Sequence, residues 1–467
     1  MASALIPASQ QNPTRRQVIR SLAAGSILMP GVLSGLLSDE ARGSVSGLNP
    51  LAPRAPHFPG RAKRVIFLYM SGGVSHMDSF DPKPRLKTDH GKGSGEGGRG
   101  RPYLRTFWDA KPGGKCGTEV SELFANIRQC VDDMCVIRSM RGDHNDHFQA
   151  TLGIHTGSVT FARPSLGSWV SYGLGTENSN LPSFVVLAPD LPYAGSQVWS
   201  SDFLPGCHQG MRVLAGSEPV PNLARRSPSQ PVQQLELTLL DRINRKHQQR
   251  FPTNGDLAAR IKSYETAFGM QMEMPDVLDL SKETDATLAL YGLERGSTKG
   301  FAWQCLVARR MAERGVRFIE LIDTGSNNNW DSHADMAAHG PLARNVDKPI
   351  AGLLRDLKSR GMLDETLVVW TTEFGRTPTI DGRNGRSHYN PAFSSWLAGG
   401  GVKGGITYGK TDDYGAKIVE NPVHVHDFHA TILHLLGFDH TKLTFRHAGR
   451  DFRLTDVAGE VVKDILA

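Results

Sequence analysis

Three segments in the last third of the chain place acidic residues and histidines directly after stretches typical of buried strands. Asp331 follows residues 316–322, Glu373 follows residues 366–370, and the third segment spans residues 424–429. The first two stretches are short, apolar and rich in β-branched residues, as parallel strands buried on two faces should be. Because ligands collect at the carboxyl ends of strands in open α/β sheets, these side chains are expected to meet at one edge.

The residue types in these segments suit a divalent metal ion. Carboxylate oxygens combined with imidazole nitrogens bind Zn²⁺, Mn²⁺ or similar ions, whereas thiolate sites need cysteine pairs at fixed spacing. The five cysteines are scattered without such spacing and are predicted to be mostly buried thiols. We therefore expect a site for Zn, Mn, Ca or Mg, whose candidate ligands are Asp331, His333, Glu373 and His388, completed by Asp78, His76 or His147.

Helix and strand patterns alternate along most of the chain. Residues 64–70 are typical of a first central strand, further strands are predicted at 134–137 and 184–188, and a helix is predicted over 119–130. A charged helical excursion is expected near 230–315. The alternation predicts an α/β fold with a mainly parallel central sheet and helices on both faces.

The N-terminal segment has the pattern of an export signal. Thr14-Arg15-Arg16 precedes a weakly apolar run to Leu37, which is typical of a twin-arginine signal. We predict a signal over 1–42, a Pro-rich spacer over 43–62 and one domain over 63–467, with a periplasmic or cell-surface location. Apart from this signal, which if uncleaved would be the only membrane anchor, no stretch is long and apolar enough to span a bilayer.

The charge distribution argues against a nucleic acid partner. The formal net charge is +6, but residues 1–64 hold eight basic and two acidic residues, which accounts for the whole excess. The remainder carries 45 basic and 45 acidic residues. A balanced domain lacks the basic surface that binds a polyanionic backbone.

Structural alternatives exist for several candidates. Asp335 and His339 lie four apart and form a second Asp/His pair besides Asp331 and His333. Arg376 is a candidate partner for the buried carboxylate of Glu373, three residues before it. The third segment supplies either metal ligands or a helix cap, because an acid near a helix N-terminus is stabilising without a metal; its candidates are His426, Asp427 and His429.

Together these motifs resemble an exported bacterial family, domain of unknown function 1501. The resemblance runs from about Arg64 to Ala467 and rests on the Trp-Asp-x-His element and three blocks, residues 373–378, 386–388 and 424–437. That family resembles the alkaline phosphatase and sulfatase superfamily, whose members hydrolyse phosphate or sulfate esters with one or two divalent ions. The resemblance implies an alkaline phosphatase-like fold and a metal-dependent ester hydrolase.

The resemblance also exposes departures from the superfamily pattern. Ser71-Gly72 stands where the superfamily usually has Asp-Gly after the first strand, and Phe374 stands where it has a metal-binding histidine. The Ser, Thr or formylglycine nucleophile falls near residues 145–147, where there is no hydroxyl or thiol. The catalytic candidates are therefore His147, Asn145 and Arg376, with Ser139 or Thr151 only if the alignment shifts.

Two functions follow from the resemblance. The first is an exported hydrolase acting on a small-molecule or glycan ester of phosphate or sulfate. The second is a catalytically inactive superfamily member that binds an anionic glycan or a protein partner.

Overall fold

A nine-stranded central sheet organises the structure, a computed structural model that describes residues 49–95, 98–216, 218–221, 223–225, 227–251 and 254–467. The predicted signal and the first residues of the spacer lie outside the described residues. Residues Asn49–Ala467 form one unit. In chain order the sheet strands are β1 (Arg64–Tyr69), β2 (Met134–Arg141), β3 (Phe184–Leu187), β4 (Met211–Val213), β5 (Phe318–Ile322), β6 (Thr366–Thr371), β7 (Phe393–Ala398), β8 (Ile406–Tyr408) and β9 (Val423–His424).

The strand order is β8-β2-β7-β6-β1-β5-β3-β4, and β9 also pairs with β2. β1 lies at the centre, parallel to β5 and β6, with Leu68 opposite Leu321 and Trp370. β7 is the exception, since it runs antiparallel to both of its neighbours, β2 and β6. The predicted mainly parallel sheet is therefore confirmed, with one antiparallel strand inserted.

Nine α-helices are present in the described residues. They are α1 (Arg85–Thr88), α2 (His147–Thr156), α3 (Leu166–Leu174), α4 (Gln230–Arg250), α5 (Gly255–Leu278), α6 (Asp285–Tyr291), α7 (Phe301–Glu313), α8 (His339–Ser359) and α9 (Val425–Leu435). Four of them, α4 to α7, fall in the segment predicted as a helical excursion. No helix in the described part of the chain is long and apolar enough to cross a membrane.

Helices cover both faces of the sheet. Alternate side chains of β1 point to opposite faces, as strand geometry requires. Ile66 and Leu68 belong to a buried cluster with residues of α7 and α8, whereas Phe67 and Tyr69 belong to a second cluster with residues of α2, α3 and α9. This two-sided burial explains why the central strands are continuous apolar runs.

The helix predicted over residues 119–130 is wrong. The segment forms a strand, Thr118–Ser121, followed by two 3₁₀ turns, Glu122–Phe124 and Ile127–Asp133. The Asp347 carboxylate on α8 accepts hydrogen bonds from the backbone N–H groups of Asn126 and Ile127. The side chain of Asp347, distant in sequence, therefore binds amide groups that a continuous helix would hydrogen-bond internally.

Candidate metal centre

The candidate site lies at the carboxyl edge of the sheet, where four segments meet. Glu373 follows β6 by two residues, and Asp331 lies in the loop after β5. His147 is the first residue of α2. Asp146 precedes it as the N-cap, and its carboxylate accepts a hydrogen bond from the amide of Phe148. The short strand His388–Tyr389 pairs antiparallel with Gly375–Arg376, which returns His388 to the sheet edge.

The loop that carries Asp331 is held in a fixed turn. Asn328 adopts a positive φ of 49°, the left-handed conformation that Asn tolerates better than most residues. The Trp330 amide donates to the Ser71 carbonyl at 3.1 Å, and its indole N–H donates to Asp323 at 2.6 Å. The turn expected from the Asn-rich sequence brings Asp331 and His333 to the same point.

Three imidazole rings converge on the carboxylate of Asp331. The Nε2 atoms of His333 and His388 lie 3.0 and 3.2 Å from Asp331 Oδ1, and 2.8 Å from each other. His147 Nε2 lies 3.3 Å from Asp331 Oδ2. The ligand atoms of His147, Asp331 and His388 all lie within 4.8 Å of one another, a spacing that fits a shared metal ion.

The other nitrogen of each ring has an acceptor of its own. His147 Nδ1 contacts Glu373 Oε1 at 2.8 Å, His333 Nδ1 contacts Asp381 Oδ2 at 2.6 Å, and His388 Nδ1 contacts the Asn145 carbonyl at 2.8 Å. Since carboxylates and carbonyls only accept, each Nδ1 carries a proton, and each ring turns its Nε2 atom toward Asp331. This is how proteins orient metal-binding histidines.

The converging atoms therefore fit a cation. The Nε2 atom of His147 is buried and has no hydrogen-bond partner in the described residues. Lone pairs of His333 and His388 facing each other at 2.8 Å repel unless a proton or a metal ion lies among them. Three imidazoles and one carboxylate are a donor set that suits Zn²⁺ and similar ions.

Glu373 lies behind His147, outside the group of converging ligand atoms. Its carboxylate is 2% exposed and accepts hydrogen bonds from His147 Nδ1, the Gly72 amide, the Tyr69 hydroxyl and the Thr372 hydroxyl, at 2.8 to 3.0 Å. Thr372 shares its single hydroxyl proton with the Met70 carbonyl, and the other three donors already satisfy both oxygens of Glu373. The structure thus gives Glu373, predicted as a ligand, the geometry of a group that orients His147.

Arg376 holds Asp331 instead of Glu373. The guanidinium is fully buried and donates to Asp331 Oδ1 at 2.7 Å. It also donates to the backbone carbonyls of Gly72, Gly73 and Arg386. The alternative that paired Arg376 with Glu373 is therefore wrong, because the loop after β5 brings Asp331 within reach of the guanidinium.

The electrostatics of the cluster favour added positive charge. Burial lowers the pKa of His147, but the neighbouring carboxylates of Asp331 and Glu373 outweigh it and raise the pKa to about 9. Burial raises the pKa of Asp331 and Glu373, yet the ring of His147 beside both, with His388 and Arg376 also beside Asp331, more than offsets this, so both pKa values are lowered. The two carboxylates thus stabilise a cation between them.

A tyrosine completes one wall of the site. The ring of Tyr193 stacks on His147, with centroids 4.0 Å apart and planes at 7°, and its hydroxyl accepts a hydrogen bond from Asn329 at 3.0 Å. Phe148, 41% exposed, follows His147 at the surface. His333, whose side chain is 41% exposed, is the part of the cluster most open to solvent.

The family described as "Protein of unknown function (DUF1501)" matches residues 62–466. The chain belongs to this family. The match confirms the resemblance and its extent, and all the converging residues lie inside it. No curated protein sequence is significantly similar to the chain.

Solved structures similar to this chain include three enzymes. A sulfatase from Pseudoalteromonas sp. is 13% identical, with a TM-score of 0.33 over 81% of this chain and 68% of that chain. Alkaline phosphatase from the Antarctic bacterium TAB5 is 12% identical, with a TM-score of 0.33 over 76% and 94%. A phosphonate monoester hydrolase from Silicibacter pomeroyi is 11% identical, with a TM-score of 0.34 over 80% and 73%.

Two predicted ligands of this DUF1501 chain, Asp78 and His76, lie elsewhere. Asp78 Oδ2 forms a buried salt bridge with Arg386 Nε at 2.9 Å, and His76 Nε2 contacts the Gly415 carbonyl at 2.8 Å. Gly72 and Gly73, with φ of 111° and 75°, turn the chain after β1. Position after a central strand was therefore not enough to bring these side chains to the cluster.

The remaining candidates have structural partners. Asp335 caps a short turn by accepting from the Ala337 amide, and His339 is buried, with Nε2 accepting from the Ser75 amide at 3.2 Å. In the third segment, His424 and Asp427 form the capping box of α9. His429 Nε2 contacts the Ile154 carbonyl at 2.7 Å. For this segment the helix-capping interpretation describes the observed geometry.

Sequence reasoning missed Asp381 and the role of Asn145. Asp381 lies in a polar turn with no strand before it, and its partner His333 is 48 residues away in sequence. The Asn145 side chain is exposed, and the residue acts through its carbonyl. A backbone acceptor leaves no signal in the residue type, whereas the Asp and Gly pattern at residues 381–385 indicated a turn.

Proposed function

We propose that this protein is an exported metal-dependent hydrolase of phosphate or sulfate esters. One observation carries the proposal: the Nε2 atoms of three imidazole rings, each with its proton on Nδ1, point at a single carboxylate. The ligands would be Asp331, His147, His333 and His388. Because imidazoles dominate, Zn²⁺ is favoured over Ca²⁺ and Mg²⁺, which take oxygen ligands.

The surrounding residues would keep this site in place. Glu373 and Asp381 hold the Nδ1 protons of His147 and His333, so both rings present Nε2 inward. Arg376 fixes the Asp331 carboxylate through Oδ1. A divalent ion held there supplies Lewis-acid polarisation of an ester oxygen and of a water molecule.

The nucleophile would be water. The start of α2 carries His147 and Phe148 where the superfamily resemblance places a hydroxyl nucleophile. Ser139 donates to the Asn421 carbonyl at 2.6 Å, and Thr151 is buried against the Tyr69 hydroxyl at 2.8 Å. Both hydroxyls are thus engaged in structural hydrogen bonds.

A second candidate is a catalytically inactive protein that binds an anionic glycan or a protein partner. It is favoured by Arg376, whose guanidinium is fully buried and already donates to Asp331 and to backbone carbonyls through all three of its nitrogens. Phosphoryl and sulfuryl transfer develop charge on the transferring group that enzymes neutralise with cations or aligned donors. In this site the metal ion alone would neutralise that charge.

Metal analysis combined with ester hydrolysis separates the two functions. Purified full-length protein is analysed for bound metal and assayed with aryl phosphates and aryl sulfates, alongside His333→Ala and the control His447→Ala, an exposed histidine outside the cluster. An enzyme binds one equivalent of metal and loses both metal and turnover in His333→Ala only. Metal-free protein without turnover contradicts the hydrolase and supports the binder.

The export proposal rests on the sequence of residues 14–37. Replacing Arg15 and Arg16 together with Lys tests it, because twin-arginine transport depends on that pair. Cell fractionation should find the unaltered chain outside the cytoplasm and the variant inside. Equal distribution of the two proteins contradicts this route.

A further inference from the structure

Carboxylates outnumber basic side chains at the candidate metal centre. Asp331 lies in the middle of the cluster, Glu373 holds His147, and Asp381 holds His333. In the part of the chain that the structure describes, only one Lys or Arg side chain contacts a proposed ligand, the guanidinium that donates to Asp331. Three carboxylates against one guanidinium leave two negative charges, which one divalent ion would neutralise. The loaded site would therefore have no positive charge in excess.

Other charges near the cluster do not supply the missing positive charge. Asp323, 6% exposed, accepts only from neutral N–H and O–H groups, so it adds negative charge. Arg386 is buried but is paired with Asp78. Arg101 lies 3.9 Å from Asp381, yet its side chain is 68% exposed, so solvent screens most of its charge. The other exposed charges in the flanking segments are more often acidic than basic: Arg141, Arg383, Asp143, Asp146, Asp190 and Asp335.

A free hydrogen-bond donor beside the cluster is also neutral. Tyr193 stacks on His147, and its hydroxyl oxygen accepts from Asn329, while no described residue accepts its hydroxyl proton. Burial raises the pKa of Tyr193, as do the carboxylates of Asp331 and Glu373, so the phenol keeps this proton. The hydroxyl can therefore donate to an oxygen of a bound group without adding positive charge to the site.

We propose that the substrate is an ester whose transferred group carries one negative charge, as in a sulfate monoester or a phosphate diester, and not a doubly charged phosphate monoester. This inference rests on the proposed hydrolase. A second negative charge would have no cation to pair with, and an unpaired charge in a partly buried site is costly. Hydrolysis forms a bond from a water oxygen to sulfur or phosphorus and breaks the bond to the alcohol oxygen. The alcohol takes one water proton, and the other goes to solvent.

Two ligands of the same shape test the charge preference without turnover. Benzenesulfonate carries one negative charge, whereas phenylphosphonate carries two at about pH 8.5, above the second pKa of a phosphoryl group. Calorimetry on full-length protein loaded with Zn²⁺ should show benzenesulfonate binding about tenfold more tightly, because the second charge of phenylphosphonate is opposed by nearby carboxylates. Equal or tighter binding of phenylphosphonate, or binding of neither ligand, overturns the inference.

An added cation should reduce this preference. Phe148 is 41% exposed and follows His147, so Phe148→Lys places an ammonium group beside the cluster. The ratio of the two affinities should shift toward phenylphosphonate by about threefold or more. Phe148→Gln is the neutral control and should leave the ratio unchanged. Equal ratios in the two variants refute the charge argument.

Turnover distinguishes the two kinds of singly charged ester and separates this inference from the proposed function. Values of kcat/KM are compared for nitrophenyl sulfate, bis(nitrophenyl) phosphate and nitrophenyl phosphate. The highest value for either of the first two supports the inference and identifies the ester. The highest value for nitrophenyl phosphate keeps the hydrolase but overturns the inference. Preferential benzenesulfonate binding without hydrolysis of any ester supports a singly charged ligand and overturns the hydrolase.

Discussion

Replacing Glu373 with Gln isolates the effect of its charge on the metal centre. The side chain keeps its shape, with the amide oxygen accepting from His147 and Gly72, and the amide NH₂ facing the hydroxyls of Tyr69 and Thr372, which can accept. The fold should therefore survive. What is lost is the negative charge that holds the Nδ1 proton of His147 and raises the basicity of its Nε2.

The expected loss is about 10- to 100-fold in metal affinity, the usual effect of removing an outer partner of a ligating histidine. This corresponds to about 1.4–2.7 kcal/mol of binding free energy. Isothermal titration calorimetry with Zn²⁺ or Mn²⁺ on metal-stripped protein measures it directly. Glu320→Gln is a matched control, because Glu320 is also a buried acid on the sheet and lies 2.8 Å from a buried histidine, His155.

The control should retain unaltered affinity, since neither Glu320 nor His155 contacts the cluster. An affinity of Glu373→Gln within twofold of the unaltered protein refutes the role assigned to Glu373. Equal losses in both variants refute it too, because they would trace the effect to a general disturbance of the sheet.

Three further results are expected. Asp331→Ala should lose stoichiometric metal binding, measured by calorimetry, because it removes the carboxylate on which the imidazoles converge; retained binding contradicts this. Asp78→Ala should lower the free energy of unfolding by about 3–5 kcal/mol, since it leaves the Arg386 guanidinium buried and unpaired, while metal affinity of the folded protein stays unchanged. Burial lowers the pKa of His208 and of His429 to about 3, so both stay neutral in the fold and take up protons on unfolding below pH 6.5. The contribution of each neutral histidine to the free energy of unfolding is thus fully present above pH 6.5 and falls toward pH 3, by about 2 kcal/mol per histidine at pH 5. In thermal melts, the melting temperature of His208→Asn should fall less steeply with decreasing pH than that of the unaltered protein. Equal slopes refute the assignment.

The sequence predicted the sheet because its central strands are buried on both faces. Residues such as Ile66 and Phe67 face different clusters, and both must be apolar, so the strand stands out as a continuous run. The parallel order of β1, β5 and β6 then brings the ends of distant segments together. The antiparallel β7 was not foreseen, because neither its composition nor its length records its direction.

The roles within the site depended on contacts that no local pattern encodes. Glu373 follows a strand as a ligand would, but the amide of Gly72 and the hydroxyl of Tyr69 reach its oxygens from β1 and the turn after it. Asp78 follows β1 with equal regularity and instead meets Arg386, 308 residues away in sequence. Tertiary structure decides which carboxylate faces the imidazoles.

Anomalous X-ray diffraction from crystals grown with Zn²⁺ tests the central claim most directly. The account predicts a single strong peak among the Nε2 atoms of His147, His333 and His388 and the carboxylate of Asp331, in every molecule. A peak bound by Glu373, Asp78 or His76, or no peak at these four residues at saturating zinc, contradicts it.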